Sequence, residues 1–252
     1  ETFSTLYDQK QNNYSLKFKS KYDFINSITK DLPSAPEYFR DSAILNKDGY
    51  KNNDDLIKGS LKKLSVEKIK NPLKLNHLIL DTRSPHDFFI SHIKKSLNIP
   101  LSGRYAITAA NLLGIKKSVI LVCYKNDINE SIIRLNRVGF ENIIGYYILD
   151  DLTPKNITSS IKSIKANSAH KIDDSKYLDV RTKSEYAEKH VRGALNLPLF
   201  ELNESINLLD KDSSYIVYCR SGYWSSVASS ILKRKNIKNI INISEGINGL
   251  SK

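Results

Sequence analysis

Short apolar runs alternate with amphipathic segments along most of the chain, and the same order occurs twice. Runs rich in Leu, Ile and Val are typical of strands buried within a parallel sheet. The strands predicted in this way are 77–81, 118–123 and 142–148, then 177–180, 215–219 and 239–243. Helical spacing predicts helices over 130–138, 184–189 and 225–235. The alternation predicts an α/β fold with two units, each a parallel sheet flanked by helices.

The two units are copies of one another. Leu80-Asp81-Thr82-Arg83 and Leu178-Asp179-Val180-Arg181 align at an offset of 98 residues. The same offset aligns further polar and proline positions, namely His92 with His190, Asn98 with Asn196 and Pro100 with Pro198. An apolar run that ends in Cys123 in the first copy and in Cys219 in the second continues the match at an offset of 96. A tandem repeat therefore organises the chain.

The repeat sets the predicted domain boundaries. Residues 1–58 belong to neither copy and are predicted to be the tail of a preceding domain with its linker. Residues 59–152 form the first domain and 173–252 the second. Between them, 153–172 holds Pro154 and many Ser, Asn and Lys residues, which predicts a linker with a short helix near 157–164.

Composition limits the class of protein. Of the 252 residues, 40% are hydrophobic and 26% charged, as in ordinary globular proteins. The net charge of +12 comes from scattered lysines without a basic block, so it predicts a preference for small anions rather than nucleic acid. No run approaches the roughly 18 apolar residues of a membrane span, and no secretory signal is present, which predicts a cytoplasmic protein. The absence of Met predicts a processed or excised chain.

The clearest chemical signal is the loop Cys219-Arg220-Ser221-Gly222-Tyr223-Trp224-Ser225, between a predicted strand and a predicted helix. Gly222 permits a tight turn, and successive N–H groups at a helix start can surround an anionic sulfur. Cys219 is therefore predicted to be a nucleophile, and Arg220 to Ser225 to bind substrate. Asp179 and Arg181 are predicted to support the loop by charge-assisted hydrogen bonds. No cofactor or metal site is predicted.

The first copy lacks this chemistry. Cys123 is followed by a segment with no Gly and with the acidic residues Asp127 and Glu130. Nearby negative charge disfavours a thiolate and repels anions, so Cys123 is predicted to be structural. A disulfide is not predicted, because the two cysteines occupy corresponding places in separate copies. His92 and His190 occur in both copies and are predicted to be structural, each hydrogen-bonding a turn.

The second copy closely resembles the rhodanese domain pattern. The resemblance is carried by Leu178–Arg181, Glu185-Tyr186, His190–Pro198 and Cys219–Ser225. The first copy resembles a degenerate rhodanese, in which Lys95-Ser96 replaces Gly-Ala and the active loop is lost. The resemblance implies a thiosulfate or persulfide sulfurtransferase. Cys219 would take sulfane sulfur as a persulfide and pass it to a thiol, sulfite or cyanide.

A narrower resemblance concerns fusions of a persulfide dioxygenase with a sulfurtransferase. Residues 102–112 and 134–146 are similar to the first rhodanese of such fusions, and Ser4-Thr5, Asn12-Asn13, 32–39 and Asn46 resemble the end of their metallo-β-lactamase-fold domain. The resemblance implies that this is the C-terminal part of a fusion in sulfide and persulfide metabolism. It also implies iron ligands upstream of residue 1, and allows a homo-oligomer formed through the upstream domain.

One position departs from the family. Trp224 stands where the family often has an Arg that pairs with thiosulfate, and losing that pair costs on the order of 2 kcal/mol in anion binding. The departure favours an organic persulfide as donor, although Trp224 could equally be a packing residue. A cysteine phosphatase is disfavoured, because the next Arg after Arg220 is Arg234, inside the predicted helix. A weakly catalytic scaffold or persulfide-sensing module stays open as the alternative to an enzyme.

Overall fold

The computed structural model describes residues 3–30, 35–36, 38–70, 77–172 and 174–250. The chain divides into two units, 1–36 and 37–252. Of the predicted features, Leu32–Ser34 and Glu37 in the N-terminal motif, and the boundary positions 1, 173 and 252, lie outside the described residues.

The small unit contains two short helices. These are α1 (Leu6–Asn12) and α2 (Lys21–Thr29), with a 3₁₀ turn over Tyr14–Leu16 between them. The hydroxyl groups of Thr5 and Ser20 accept hydrogen bonds from the N–H groups of Asp8 and Asp23, which starts each helix. No residue of α1 or α2 is buried within this unit. Besides the helix caps, the ring of Phe18 lies edge-on to Tyr14 at 6.4 Å and to Phe24 at 6.0 Å between centroids.

The first of the two main sheets in the larger unit is parallel and four-stranded, in the order β3-β1-β4-β5. Its strands are β1 (Leu78–Asp81), β3 (Leu97–Asn98), β4 (Val119–Val122) and β5 (Ile143–Tyr147), while β2 (His92–Ile93) pairs with β6 (Thr158–Ser159) in a separate antiparallel ladder. Its helices are α3 (Tyr38–Asp48), α4 (Asn53–Ser60), α5 (Val66–Lys70), α6 (Pro85–Ile90), α7 (Tyr105–Leu113) and α8 (Ile128–Asn136). We refer to 38–159 as the first domain.

A five-stranded parallel sheet, in the order β7-β11-β10-β8-β9, forms the second domain, 160–250. Its strands are β7 (Lys162–Ile164), β8 (Ser175–Asp179), β9 (Leu195–Asn196), β10 (Ser214–Tyr218) and β11 (Asn239–Ile243). Its helices are α9 (Lys183–Glu188), α10 (Leu202–Ser205), α11 (Tyr223–Arg234) and α12 (Gly246–Leu250). Two parallel sheets flanked by helices confirm the predicted fold class.

The polar positions that repeat along the chain make the same hydrogen bonds in both domains. The Arg83 guanidinium donates to Asp81 and to the Ser91 carbonyl oxygen (2.7 Å). In the second domain Arg181 donates to Asp179 and to the Lys189 carbonyl oxygen (2.6 Å). Each buried carboxylate thus has its charge partner, which burial requires. Asn98 and Asn196 then tie the strand ends together, each donating to two backbone carbonyls.

The N-terminal boundary differs from the prediction. Position 58 falls inside α4, and partly buried side chains of α3 and α4, among them Leu45 and Ile57, pack against the buried core of the larger unit. An ion pair of 3.2 Å joins Lys51 to Glu141. Residues 38–58 therefore belong to the first domain, because an amphipathic helix buries its apolar side against the nearest sheet.

The predicted linker also differs. Residues 162–164 form strand β7, which pairs in parallel with β11, so the short helix predicted near 157–164 is wrong. Pairing satisfies the edge of the second sheet, whose N–H and C=O groups would otherwise lack partners. One cluster of buried apolar side chains includes residues of both domains, such as Leu80 and Val227. In the described ranges, no helix is long and apolar enough to cross a bilayer.

Candidate active site

Cys219 lies at the carboxyl end of the second sheet, directly after β10 and four residues before α11. Its residue surface is only 3% exposed. The chain turns at Gly222, whose φ of +99° lies in the left-handed region, and the Gly222 N–H donates to the Cys219 Sγ over 3.2 Å. The sequence predicts that several backbone N–H groups donate to the Cys219 sulfur, and the structure shows one such hydrogen bond, from Gly222. The N–H groups of the first turn of α11 follow directly in the chain.

A second backbone segment supports the loop from behind. The Ile247 N–H donates to the Cys219 carbonyl oxygen over 2.7 Å. A Cβ at Gly222 would lie 2.0 Å from the Ser244 carbonyl oxygen, and one at Gly246 would lie 2.4 Å from that of Cys219. Both positions therefore require glycine. The sequence analysis did not identify Gly246 as a residue that supports the Cys219 loop; the only signal for it was that the residue is a glycine.

Cys219 lines a cavity of about 230 Å³, which we call the cysteine cavity. The loop contributes Cys219, Arg220, Ser221, Tyr223 and Trp224, and the segment after β8 contributes Arg181 and Glu185. The cavity thus joins a thiol, two guanidinium groups and an aromatic face. Glu185 was not predicted as a site residue, although it belongs to the motif that carries the family resemblance.

The two supporting residues form a buried pair beside this cavity. Hydrogen bonds with Asp179 raise the pKa of Arg181 above its ordinary value. The hydrogen bonds described for Arg181 go to Asp179 and to the Lys189 carbonyl oxygen rather than to the loop. Arg181 therefore brings a guanidinium group to the cavity, with its charge paired to the Asp179 carboxylate.

Not every predicted binding residue borders the cysteine cavity. Ser225 is fully buried, and its hydroxyl donates to the Gly222 carbonyl oxygen over 3.1 Å, which braces the turn. Arg220 is exposed and lines the cavity. Trp224 lines it as well and also packs against the core, with its ring edge-on to Phe200 at 5.8 Å between centroids. The packing interpretation of Trp224 matches these contacts, and contact with substrate stays a prediction that its place at the cavity allows.

Tyr223 connects the loop to the first domain. Its hydroxyl donates to the Pro100 carbonyl oxygen over 3.3 Å, and its ring lies 3.6 Å from the position of a Cβ on Gly103. Arg134, on α8, donates to the Gly103 carbonyl oxygen over 2.7 Å and so holds that segment. Farther along α11, the Ser230 hydroxyl accepts from the Asn98 N–H over 3.0 Å. The helix that carries the loop is therefore docked on the first domain.

Cys123 has the corresponding place in the first domain but different surroundings. It is 1% exposed and is followed by a 3₁₀ turn over Lys125–Asp127. Burial, with the nearby carboxylates of Asp81 and Asp127, raises the pKa of the Cys123 thiol to about 12. Its thiol stays protonated at neutral pH, in agreement with the structural role expected for it.

His92 and His190 each support a turn, as expected. The Nδ1 atom of each ring lies 2.8 Å from the carbonyl oxygen four residues earlier, that of Phe88 and Tyr186 respectively. Each ring also stacks on the side chain of that residue, at 4.0 and 3.9 Å between centroids. Burial lowers the pKa of His92 to about 4, so this ring is neutral at pH 7.

Two other kinds of site find no support in the described part of the chain. No group of three or more His, Cys, Asp or Glu side chains there is arranged to hold a metal ion. Arg234, the next arginine after Arg220, ends α11 at the far side from the loop and donates to the Lys95 carbonyl oxygen over 3.4 Å. It cannot close over a phosphate at Cys219 as a cysteine phosphatase requires.

Comparison with known proteins agrees with the repeat. A family model described as rhodanese-like domain matches residues 65–149 and again 163–252. A thiosulfate sulfurtransferase, PspE of Escherichia coli, is 37% identical over 68 residues, which cover 26% of this chain and 65% of that protein. A tRNA sulfurtransferase of Thermoplasma acidophilum is 36% identical over 64 residues, covering 25% of this chain and 13% of that protein.

Among solved structures, a rhodanese-related protein from Thermoplasma volcanium is 30% identical, with a TM-score of 0.34; the match covers 36% of this chain and 90% of the Thermoplasma chain. The chain thus spans less than two thirds of the length of the curated relatives it matches.

Proposed function

We propose that this chain, which belongs to the rhodanese-like domain family, is a sulfurtransferase in which Cys219 carries sulfane sulfur as a persulfide. One observation carries the proposal: Cys219 lines a cavity together with Arg181 and Arg220, and its sulfur accepts a hydrogen bond from the Gly222 N–H at the start of a helix. An anionic sulfur is stabilised by such a setting. The names of the relatives support sulfur transfer in general.

The reaction has two transfers. The Cys219 thiolate attacks the outer sulfur of a persulfide, R–S–SH; a bond forms between the two sulfurs, and the donor leaves as R–S⁻ with the electron pair of the broken bond. Thiosulfate reacts in the same way, with sulfite as the leaving group. A thiol, sulfite or cyanide acceptor then takes the outer sulfur and returns Cys219 to its thiolate. Arg220 offsets the negative charge of donor and leaving group, and Arg181 adds a second guanidinium group whose charge is paired with Asp179.

An organic persulfide is the donor that we favour. Trp224 stands where the family often has an Arg and, with Tyr223, supplies aromatic surface at the cavity; an aromatic surface accepts a carbon skeleton better than a sulfonate. Arg220 also lines the cavity, so thiosulfate keeps one cationic partner from the loop. We place the reaction in the cytoplasm, because both cysteines are free and buried, as is usual in a reducing compartment.

The wider setting that we propose is a fusion with an upstream persulfide dioxygenase of the metallo-β-lactamase fold. The support is the likeness of residues 102–112 and 134–146 to the first rhodanese of such fusions. In that setting the chain acts in sulfide and persulfide metabolism, and the upstream domain supplies any oligomer contact.

Intact-mass measurement after incubation with glutathione persulfide or thiosulfate tests the sulfurtransferase function. We expect a single added sulfur that is lost in Cys219→Ser and kept in Cys123→Ser. The Cys123 variant is the matched control, because this thiol is buried with its pKa raised to about 12. A protein that gains no sulfur from either donor, with both cysteines intact, would be a scaffold or a binding module rather than an enzyme.

A further inference from the structure

A second cavity, of about 530 Å³, lies between the two domains beside the Cys219 loop. We call it the interdomain cavity. The first domain contributes Phe89 and Ile90 of α6, and the second domain contributes Ile161 and the end of β11. Ser221 and Tyr223 line this cavity and the cysteine cavity alike. The two cavities therefore adjoin at this loop.

The size of the interdomain cavity is within the roughly 300–1,000 Å³ of ordinary ligand sites. Its walls consist of apolar side chains together with hydroxyl groups, one amide and the imidazole of His86; the described lining contains no carboxylate, ammonium or guanidinium group. This neutral lining contrasts with the cysteine cavity, which has Arg181 and Arg220. It suits the aliphatic and amide groups of an organic donor rather than an inorganic anion.

Asn242 adds an independent sign of a ligand. Its side chain is fully buried at the cavity wall, and its Nδ2 donates to the Ser163 hydroxyl over 3.2 Å. Its Oδ1 has no hydrogen-bond partner in the described structure. A buried acceptor without a partner costs about 1–3 kcal/mol, so Asn242 adds an unsatisfied polar atom to the wall beside this cavity. Ile90, also at this cavity, leaves 63% of its apolar surface exposed.

We propose that the interdomain cavity binds the carbon skeleton of a low-molecular-weight peptide persulfide, while its sulfane sulfur lies at Cys219. The proposal rests on the proposed sulfurtransferase function. Apolar walls, among them Phe89, Ile90 and Ile161, hold the aliphatic parts of the donor. The first domain thus has a task although its own cysteine is inert: it supplies the wall that distinguishes an organic donor from thiosulfate, which has no carbon skeleton.

Ile90→Ser tests this assignment, and Ile107→Ser is the matched control. Both isoleucines lie on first-domain helices, and both are solvent-exposed, Ile107 by 39%, so neither change threatens the fold. Ile107 does not line the interdomain cavity. We expect Ile90→Ser to raise the KM for glutathione persulfide roughly tenfold, with the KM for thiosulfate unchanged. Ile107→Ser should leave both unchanged. Equal KM values for glutathione persulfide in Ile90→Ser and the unmodified protein would overturn the proposal, as would an equal rise with both donors.

Binding of S-methylglutathione separates this inference from the enzymatic function, because the analogue carries no transferable sulfur. Trp224, the only tryptophan of the 252 residues, reports occupancy of the loop region by its fluorescence. We expect saturable binding that weakens roughly tenfold in Ile90→Ser. Binding without any sulfur transfer would support the cavity and refute the sulfurtransferase. Sulfur transfer, with equal binding of S-methylglutathione by Ile90→Ser and the unmodified protein, would support the sulfurtransferase and refute the cavity.

Discussion

His92→Gln is expected to remove much of the acid sensitivity of the folded state. Burial lowers the pKa of His92 to about 4 from a value near 6.5 in the unfolded chain. Between these two values the unfolded chain binds a proton that the folded protein does not bind. The contribution of His92 to the free energy of unfolding is therefore fully present above pH 6.5 and is lost as the pH is lowered through this window.

The magnitude follows from the two values. A difference of about 2.5 in pKa corresponds to about 3 kcal/mol at about 1.4 kcal/mol for each pKa unit. This is a large share of the roughly 5–15 kcal/mol that holds an average domain folded. The ring is 1% exposed and stacked on Phe88, and the charges of Lys233 and Arg83 add to the effect of burial.

Urea unfolding followed by circular dichroism at several pH values between 7.5 and 4.5 measures the effect. The unmodified protein should lose up to about 3 kcal/mol over this range more than His92→Gln does. At pH 7.5 the variant should be the less stable protein, since it lacks the stacked ring. His190→Gln is the control, because His190 makes the same turn contact in the second domain but is exposed. Parallel curves for the unmodified protein and His92→Gln would refute the burial argument.

Two further predictions concern the loop. Gly222→Ala should slow sulfur loading of Cys219 more than tenfold, since the new Cβ would lie 2.0 Å from the Ser244 carbonyl oxygen. Gly193→Ala is the control, because Gly193 also has a positive φ but has open space around it; this variant should lose only about 1–2 kcal/mol of stability and keep its loading rate. Stopped-flow persulfide assays measure both loading rates. Trp224→Arg should lower the KM for thiosulfate by roughly thirtyfold, the equivalent of about 2 kcal/mol from a guanidinium–oxyanion pair, and an unchanged KM in steady-state assays would place Trp224 off the path of the donor.

The contact between α11 and the first domain gives the degenerate copy a structural reason to accompany the active one. The reactive loop is attached to the amino end of α11, and Tyr223 rests on the segment from Pro100 to Gly103. A shared apolar core joins the two domains behind this contact. The position of Cys219 thus depends on residues more than 100 positions earlier in the chain.

The sequence by itself determined everything that depends on short-range pattern. Apolar runs located three strands of each sheet, β1, β4 and β5 in the first and β8, β10 and β11 in the second, and the repeat aligned Asp81 with Asp179. The strand–Cys–Gly–helix order identified the loop at Cys219. These features were predictable because a buried parallel strand, a left-handed glycine and a helix start each leave a local signature.

Only the tertiary structure decided which distant segments meet. The support of the Cys219 loop by Gly246, the packing of α3 and α4 on the first domain, and the pairing of β7 with β11 all join segments of little distinctive pattern. The interdomain cavity likewise combines Ile90 with Asn242, 152 positions apart. Periodicity records which face of an element is apolar but not which element will cover it. That choice depends on the combined packing of both domains.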